Sequence, residues 1–333
     1  MKPISRKRVS DYKDKENVEA PYLVSEKYLG TGKNGKPFLA LKISDATGVL
    51  DARLWDKVED ISKTFEVGQI VEVKGIIQIF QGRRQLILHK IESSDGDHKI
   101  ESFMPQGQTD SHENFARLIA LVSQTKNSHL KQLMMDTLED PEIKTLLLRA
   151  PAARSIHHAW MGGLLEHILS ICTLMEYLAL HYKFLNRDLL VFGGLFHDIG
   201  KIWELSFDQG IQYTDKGRLL GHMLLGCELI DRKAQRILGF PEDLKDLCKH
   251  IILSHHGKYE YGSPKRPKFL EAAVVAMVDD LDSKISNIQK FIEMERSQLI
   301  PVAENGKTER WSKYNEIHDR YFLLDDFNVK LET

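Results

Sequence analysis

The chain has 333 residues, 42% hydrophobic and 28% charged, with a formal net charge of −2, an ordinary globular balance long enough for two or three domains and a sizeable core. Cys172, Cys227 and Cys248 lack CxxC spacing, which argues against a thiolate zinc site and fits a reducing compartment. The basic opening MKPISRKRVSDYKDKEN has no apolar h-region, and no run approaches about 18 apolar residues, so neither a signal peptide nor a membrane span is expected and the expected setting is the cytoplasm.

Residues 1–95 hold 17 Lys/Arg against 14 Asp/Glu, whereas the remainder holds 29 against 34. A mildly basic front and an acidic rear fit a polyanion-gripping module joined to a cation-gripping one. From about residue 20 to 92 the pattern is β-like. APYLVSEKYLG, KPFLALKISD, GVLDARLWD, QIVEVKGIIQIF and RRQLILHKIE alternate with period two, and GTGKNGK, DATG and QGR separate them as turns. KVEDISKTFEVG reads as one short helix between the third and fourth strands. That order predicts a five-stranded OB barrel over residues 1–92. Residues 93–111, rich in Ser, Asp, Gly and Gln, read as a linker. From 112 to 333 apolar residues recur at i, i+3 and i+4, which predicts an all-α domain with a C-terminal helical extension. The fold class expected is therefore multidomain α+β, a barrel followed by a helical bundle.

The helical part concentrates histidines. His157, His158, His167, His197, His222, His255 and His256 lie mostly within or at the ends of apolar helices, near Asp198 and the run Asp279, Asp280, Asp282. One buried histidine is ordinarily a core residue with its ring nitrogens satisfied. Six or more unpaired rings would cost on the order of 1–3 kcal/mol each, so a shared divalent ion is the economical partner. Imidazole with carboxylate suits manganese, iron, cobalt, nickel, zinc or magnesium rather than calcium. One aspartate among histidines can bridge two ions, and two ions about 3.5–4 Å apart clamp the attacking and departing oxygens of a phosphate ester.

His167, then His197-Asp198, then Asp279 resembles the H…HD…D signature of the HD-domain phosphohydrolases, and His222 with His255-His256 resembles its binuclear branch. SIHHAWMGGLLEHILS, LFHDIGK, SHHG and YGSPKRPKFLEA are further similar to YhaM-type 3′-to-5′ exoribonucleases, in which an OB domain precedes the HD domain. The resemblance covers most of residues 10–325. It implies His167, His197, Asp198 and Asp279 as core metal ligands, with a one-residue slip to Asp280 as the alternative. It assigns His222, His255 and His256 to a second ion, with manganese the leading metal. Lys201 is expected to face the phosphate, with a helix-end cation as the bland alternative. His157 and His158 are expected to face substrate, and Asp282 either orients a ligand or is an ordinary polar helix residue. The activity implied is hydrolysis from a 3′ end to nucleoside 5′-monophosphates.

An OB barrel holds single strands through a basic groove with aromatic platforms. The candidates are Lys33 and Lys36 in the first hairpin loop, Phe38, Arg53 and Trp55 on the second and third strands, Phe80, and Arg83 with Arg84 in the last turn. Phe38 and Trp55 serve equally well as barrel core. The expected substrate is single-stranded RNA, with single-stranded DNA as a second candidate, and a homo-oligomer is left open. Three other readings compete. A cyclic-dinucleotide phosphodiesterase would need a GYP element that GKYEYGSPKRP lacks. A mononucleotide phosphohydrolase would leave the barrel without a task. A binding protein with an inactive metal site would have no need of the complete ligand set.

Overall fold

The computed structural model describes residues 7, 9–32, 35–80, 83–96, 98, 100–103, 110–153, 160–207, 211–298 and 310–324. The barrel is built from β1 (Asn17–Thr31), β2 (Pro37–Asp45), β3 (Gly48–Leu54), β4 (Ile70–Phe80) and β5 (Arg83–Ser93), with the short helix α1 (Val58–Ile61) between β3 and β4. It closes in the order β1-β2-β3-β5-β4, the β3–β5 pair parallel and β4 returning antiparallel to β1. The period-two alternation sorts side chains as expected. Leu39, Leu41 and Ile43 of β2 and Leu50, Ala52 and Leu54 of β3 fill the interior, and Phe38 and Arg53 lie on the outside.

The helical unit comprises α2 (Ser111–Ser123), α3 (Ser128–Leu138), α4 (Pro141–Leu147), α5 (Gly163–His181), α6 (Arg187–Phe196), α7 (Lys201–Glu204), α8 (Asp215–Ala234), α9 (Glu242–Ser254) and α10 (Leu270–Gln298), with a small two-stranded sheet of β6 (Leu205–Ser206) and β7 (Gln212–Tyr213). Helix starts follow local capping chemistry. Asp110, Asn127, Asp140, Asn186 and Thr214 each accept a first-turn backbone N–H with the side chain. Helix α5 has the length and composition to cross a bilayer, but Leu164, Leu165, Ile168, Ile171 and Cys172 place it in the core of this unit.

The unit boundaries differ from the sequence expectation. Among the described residues, those up to 103 group with those from 288 onward, and those from 110 to 287 form the other unit. The boundary falls inside α10, whose 29 residues span roughly 43 Å at 1.5 Å per residue. Nor is the expected linker free chain throughout. Ile100–Phe103 forms a 3-10 turn with Phe103 fully buried. Residues 310–324 are not helical, and they carry isolated antiparallel bridges at Trp311–Leu323 and Asn315–Arg320.

Within the barrel unit, which takes in the end of α10 from residue 288, Arg83 Nη2 lies 2.5 Å from Glu295 Oε2, whose side chain is 2% exposed. The same carboxylate oxygen accepts the Lys313 backbone N–H at 2.6 Å. Removing one partner of a buried pair costs about 3–5 kcal/mol, because the survivor keeps an uncompensated charge, whereas an apolar pair of similar volume is far less costly. Glu295→Ala is therefore expected to lower the urea midpoint of the barrel unit markedly, and Arg83→Met with Glu295→Met together to recover most of the loss. An unchanged midpoint for Glu295→Ala would show the pair to be energetically idle.

Candidate metal centre

Helix α6 is buried from Asp188 to Phe196 and runs into the LFHDIGK stretch. His197 stands at its C-cap and Asp198 in the turn that follows, 0% and 2% exposed. The ring of His197 serves its own helix end, since Nδ1 lies 3.0 Å from the Gly194 carbonyl and 3.2 Å from that of Gly193. A carbonyl only accepts, so Nδ1 carries the proton and Nε2 is a free lone pair aimed away from the helix. At each of the other histidines of the cluster Nδ1 is likewise taken up by an oxygen. His255, the C-cap of α9, donates Nδ1–H to the Ile252 carbonyl at 2.6 Å. His256 donates to the Tyr261 carbonyl at 2.9 Å. His222 on α8 donates to Glu204 Oε1 at 3.0 Å, and its backbone N–H meets that oxygen at the same distance. His167 on α5 donates to Asp282 Oδ2 at 2.8 Å. Ser170 Oγ holds the other oxygen of Asp282 at 2.5 Å.

Nε2 of His167, His197, His222 and His255 converge on Asp198 from two sides. Asp198 Oδ2 lies 3.6 Å from His167 Nε2 and 3.5 Å from His197 Nε2, with Asp279 Oδ1 at 3.3 and 3.8 Å from the same two nitrogens. Asp198 Oδ1 lies 3.5 Å from both His222 Nε2 and His255 Nε2. Two triads, His167–His197–Asp279 and His222–His255–His256, thus each bring one ligand atom per residue within 4.8 Å of one another, and Asp198 stands between them. Asp198 Oδ1, His222 Nε2 and His255 Nε2 are buried with no hydrogen-bond partner. Three such orphans, at about 1–3 kcal/mol each, around one point are the donor set of a cation. The residues present fit one or two divalent ions.

Electrostatics prepare the rings. Burial, against the pull of Asp198 and Asp279, holds His197 down to about 4. Burial with the neighbouring His255 and His222 does the same for His256, also to about 4. Both imidazoles are neutral ligands at physiological pH. His167 goes the other way: burial opposes its charged form, but hydrogen bonds to the Asp279 and Asp282 carboxylates outweigh it and raise it to about 9, so Nε2 carries a proton that an arriving metal ion must displace. Asp198 and Asp279 stay ionised despite burial, Asp198 through the Lys201 ammonium and Asp279 through its bond to His167.

Several expectations meet the geometry directly. The inward carboxylate of α10 is Asp279, since Asp280 is exposed and accepts from Lys284 at 2.6 Å. Asp282 orients His167. Lys201 does not reach outward here, as its ammonium lies 2.6 Å from Asp198 Oδ2. His157, His158 and Lys33 lie outside the described residues. On the barrel, Phe38 and Trp55 are not core: their rings lie 5.3 Å apart on the outer face with Arg53 5.4 Å from the Phe38 centroid, and Trp55 is 51% exposed. Phe80 is exposed and so is Lys36. Arg83 and Arg84 do not belong to that face, because Arg83 is committed to Glu295 and Arg84 Nε donates to the Tyr12 carbonyl at 2.8 Å. Sequence reasoning missed Glu204, a buried acid one turn after Lys201, and Tyr28, which joins the Phe38 ring at 6.5 Å.

Glycines bring α8 to the site. Gly221 breaks the helix with φ 74° just before His222, a conformation that costs a residue with a Cβ. Gly200, the N-cap of α7, lies against α8: a Cβ there would sit 2.0 Å from the His222 carbonyl oxygen. Gly200→Ala is therefore expected to displace His222 and to halve the ions retained after dialysis, as counted by elemental analysis. Two ions retained would contradict this. A proton on His167 competes with a metal ion, so manganese affinity should rise with pH by up to about tenfold per unit and level off above about pH 9. Calorimetric titrations at pH 6, 7 and 8 test that slope, and a flat series would be the contrary result.

Comparison with known proteins follows these two units. The family model for the HD domain matches residues 164–284, and that for the OB-fold nucleic acid binding domain matches residues 23–93. Among solved structures, the second OB-fold domain of replication protein A from Methanococcus maripaludis matches 28% of this chain and 97% of that one, at 18% identity and a TM-score of 0.23. The 3'-5' exoribonuclease YhaM of Listeria innocua is 35% identical over 290 residues, covering 86% of this chain and 91% of that protein. The Bacillus subtilis protein of the same name is 32% identical over 280 residues, covering 84% and 88%. Likeness running through both units at this level places the chain in the YhaM family of 3′-5′ exoribonucleases.

Proposed function

We propose that the chain is a metal-dependent 3′-5′ exoribonuclease of the cytoplasm that shortens single-stranded RNA to nucleoside 5′-monophosphates. The observation that carries this reading is Asp198, one carboxylate facing a ligand triad with each oxygen, in a chain related to exoribonucleases along most of its length. Divalent ions, when bound, supply Lewis-acid polarisation of a phosphoryl group and a nucleophilic water near neutral pH. His167, His197, Asp198 and Asp279 would hold one ion, and His222, His255, His256 and Asp198 the other. We take manganese as the leading ion, the mixed nitrogen and carboxylate donors accommodating iron, cobalt, nickel, zinc or magnesium as well. Asp282 and Glu204 keep the His167 and His222 rings in the ligating tautomer. Lys201, kept charged by Asp198 although burial opposes it, supplies a cation for the charge developing on the phosphate. His157 and His158 are retained as substrate-facing from their position before α5. The buried free thiols suit a reducing compartment.

On the barrel, Tyr28, Phe38 and Trp55 with Arg53 form the surface on which bases would stack, and the exposed Lys36 and Phe80, with Lys33 from its sequence position alone, are retained as further contacts. A Cβ on Gly30 would lie 2.7 Å from the Phe38 ring and 2.8 Å from that of Tyr28, so the glycine lets both rings lie across β1. Base–aromatic stacking of about 1–3 kcal/mol per base grips without sequence preference.

With 5′-labelled RNA the protein and manganese should yield a descending ladder, and with 3′-labelled RNA a labelled mononucleotide at once. Internal fragments would overturn the exonuclease reading. Asp198→Ala is expected to abolish cleavage and to leave RNA affinity within a few-fold, and surviving cleavage would overturn the metal assignment. Phe38→Ala with Trp55→Ala should weaken RNA binding at least tenfold by fluorescence anisotropy. Unchanged affinity would remove the barrel face from the binding site.

A further inference from the structure

The segment that joins α9 to α10, GKYEYGSPKRPKF (257–269), ligates nothing, yet it is anchored to the metal centre. His256 donates Nδ1–H to the Tyr261 carbonyl, and the His256 ring lies 4.3 Å from His255 and 5.4 Å from His222, centroid to centroid. The loop is built rather than slack. Gly257 and Gly262 turn it with φ of 76° and 80°. Ser263 is buried, its hydroxyl 2.7 Å from the Lys265 carbonyl, and the Lys265 N–H returns to the Leu253 carbonyl at 3.2 Å. Pro264 and Pro267 restrict the backbone further.

What this frame displays is positive and aromatic. Lys258, Lys265, Arg266 and Lys268 are all exposed against a single acid, Glu260, and none of the four forms an ion pair among the described residues. Tyr259 and Tyr261 are 56% and 59% exposed. Arg266 lies 5.0 Å from the Tyr259 centroid and Lys258 lies 5.4 Å from that of Tyr261. Unpaired cations interleaved with exposed rings on a fixed backbone suit a single-stranded nucleic acid, which offers phosphates to the first and base faces to the second. An acidic peptide would use the cations and leave the rings idle.

We propose that residues 258–268 form a second RNA-holding element, which grips the nucleotides next to the scissile 3′-terminal linkage. Tyr259 and Tyr261 stack on bases, and Lys258, Lys265, Arg266 and Lys268 hold the adjoining phosphates. The role deepens the exoribonuclease reading and rests on it. These are positioning residues, so they act on substrate binding and not on bond cleavage.

The test uses the full-length protein with manganese and a pentaribonucleotide. Combining Lys265→Ala, Arg266→Ala and Lys268→Ala is expected to raise KM at least tenfold while kcat changes less than threefold. The dependence of log kcat/KM on log salt should become shallower by about 2, at about 0.7 for each phosphate of a single strand that a side-chain cation no longer neutralises. Tyr259→Ala should raise KM severalfold and Tyr259→Phe should keep it within twofold, which separates stacking from a structural role. Should the triple variant fold poorly, Arg266→Ala and the Tyr259 pair carry the test alone. A KM and salt slope equal to those of the unsubstituted protein in well-folded variants would overturn the loop's role. If the unsubstituted protein does not shorten the pentamer, the exoribonuclease reading fails instead. Anisotropy of a labelled pentamer on the unsubstituted protein and the triple variant then decides the loop, with equal affinities overturning it.

Discussion

The arrangement depends on one buried carboxylate used twice. Asp198 turns Oδ2 toward His167 and His197 and Oδ1 toward His222 and His255, all within 3.5 to 3.6 Å. An ionised carboxylate at 2% exposure is costly unless compensated. Its direct polar partner is Lys201 on Oδ2, and Oδ1 has none. The surrounding helices converge so that cations can meet the rest of its charge.

Helix ends explain how the histidines come to be usable. His197 and His255 are C-cap residues, where the last carbonyls lack intrahelical donors and the helix dipole leaves partial negative charge. Each ring donates Nδ1–H to a carbonyl of its own last turn, satisfying an orphan acceptor and fixing its tautomer at the same time. The two helix ends then add negative potential where a cation is to sit. His167 and His222 lie inside or near the start of helices and borrow carboxylates, Asp282 and Glu204, for the same purpose.

Much of this is legible in the chain. Period-two alternation marks all five barrel strands, because one face of each strand is buried and one is wet. The HD pair behind an apolar run, with histidines on later helices, marks the metal centre. Pairings across distant segments are harder to see. Glu204 reads as an ordinary charge until α8 is laid against α7. Tyr28 looks like any strand aromatic until β1 and β2 pair and the glycine opposite Phe38 clears space for both rings. Arg83 looks like a free groove cation, because nothing in the chain ties it to Glu295, its partner from far along the sequence. Gly200 shows the same limit, since its value lies in the approach of a carbonyl from a helix some twenty residues on.

If Asp198 bridges two ions held by the two triads, electron paramagnetic resonance of the manganese-loaded protein shows it most directly. A carboxylate-bridged pair at about 3.5–4 Å predicts an exchange-coupled multiline spectrum, with two ions bound per chain. A simple six-line mononuclear signal at saturating manganese would contradict the bridge.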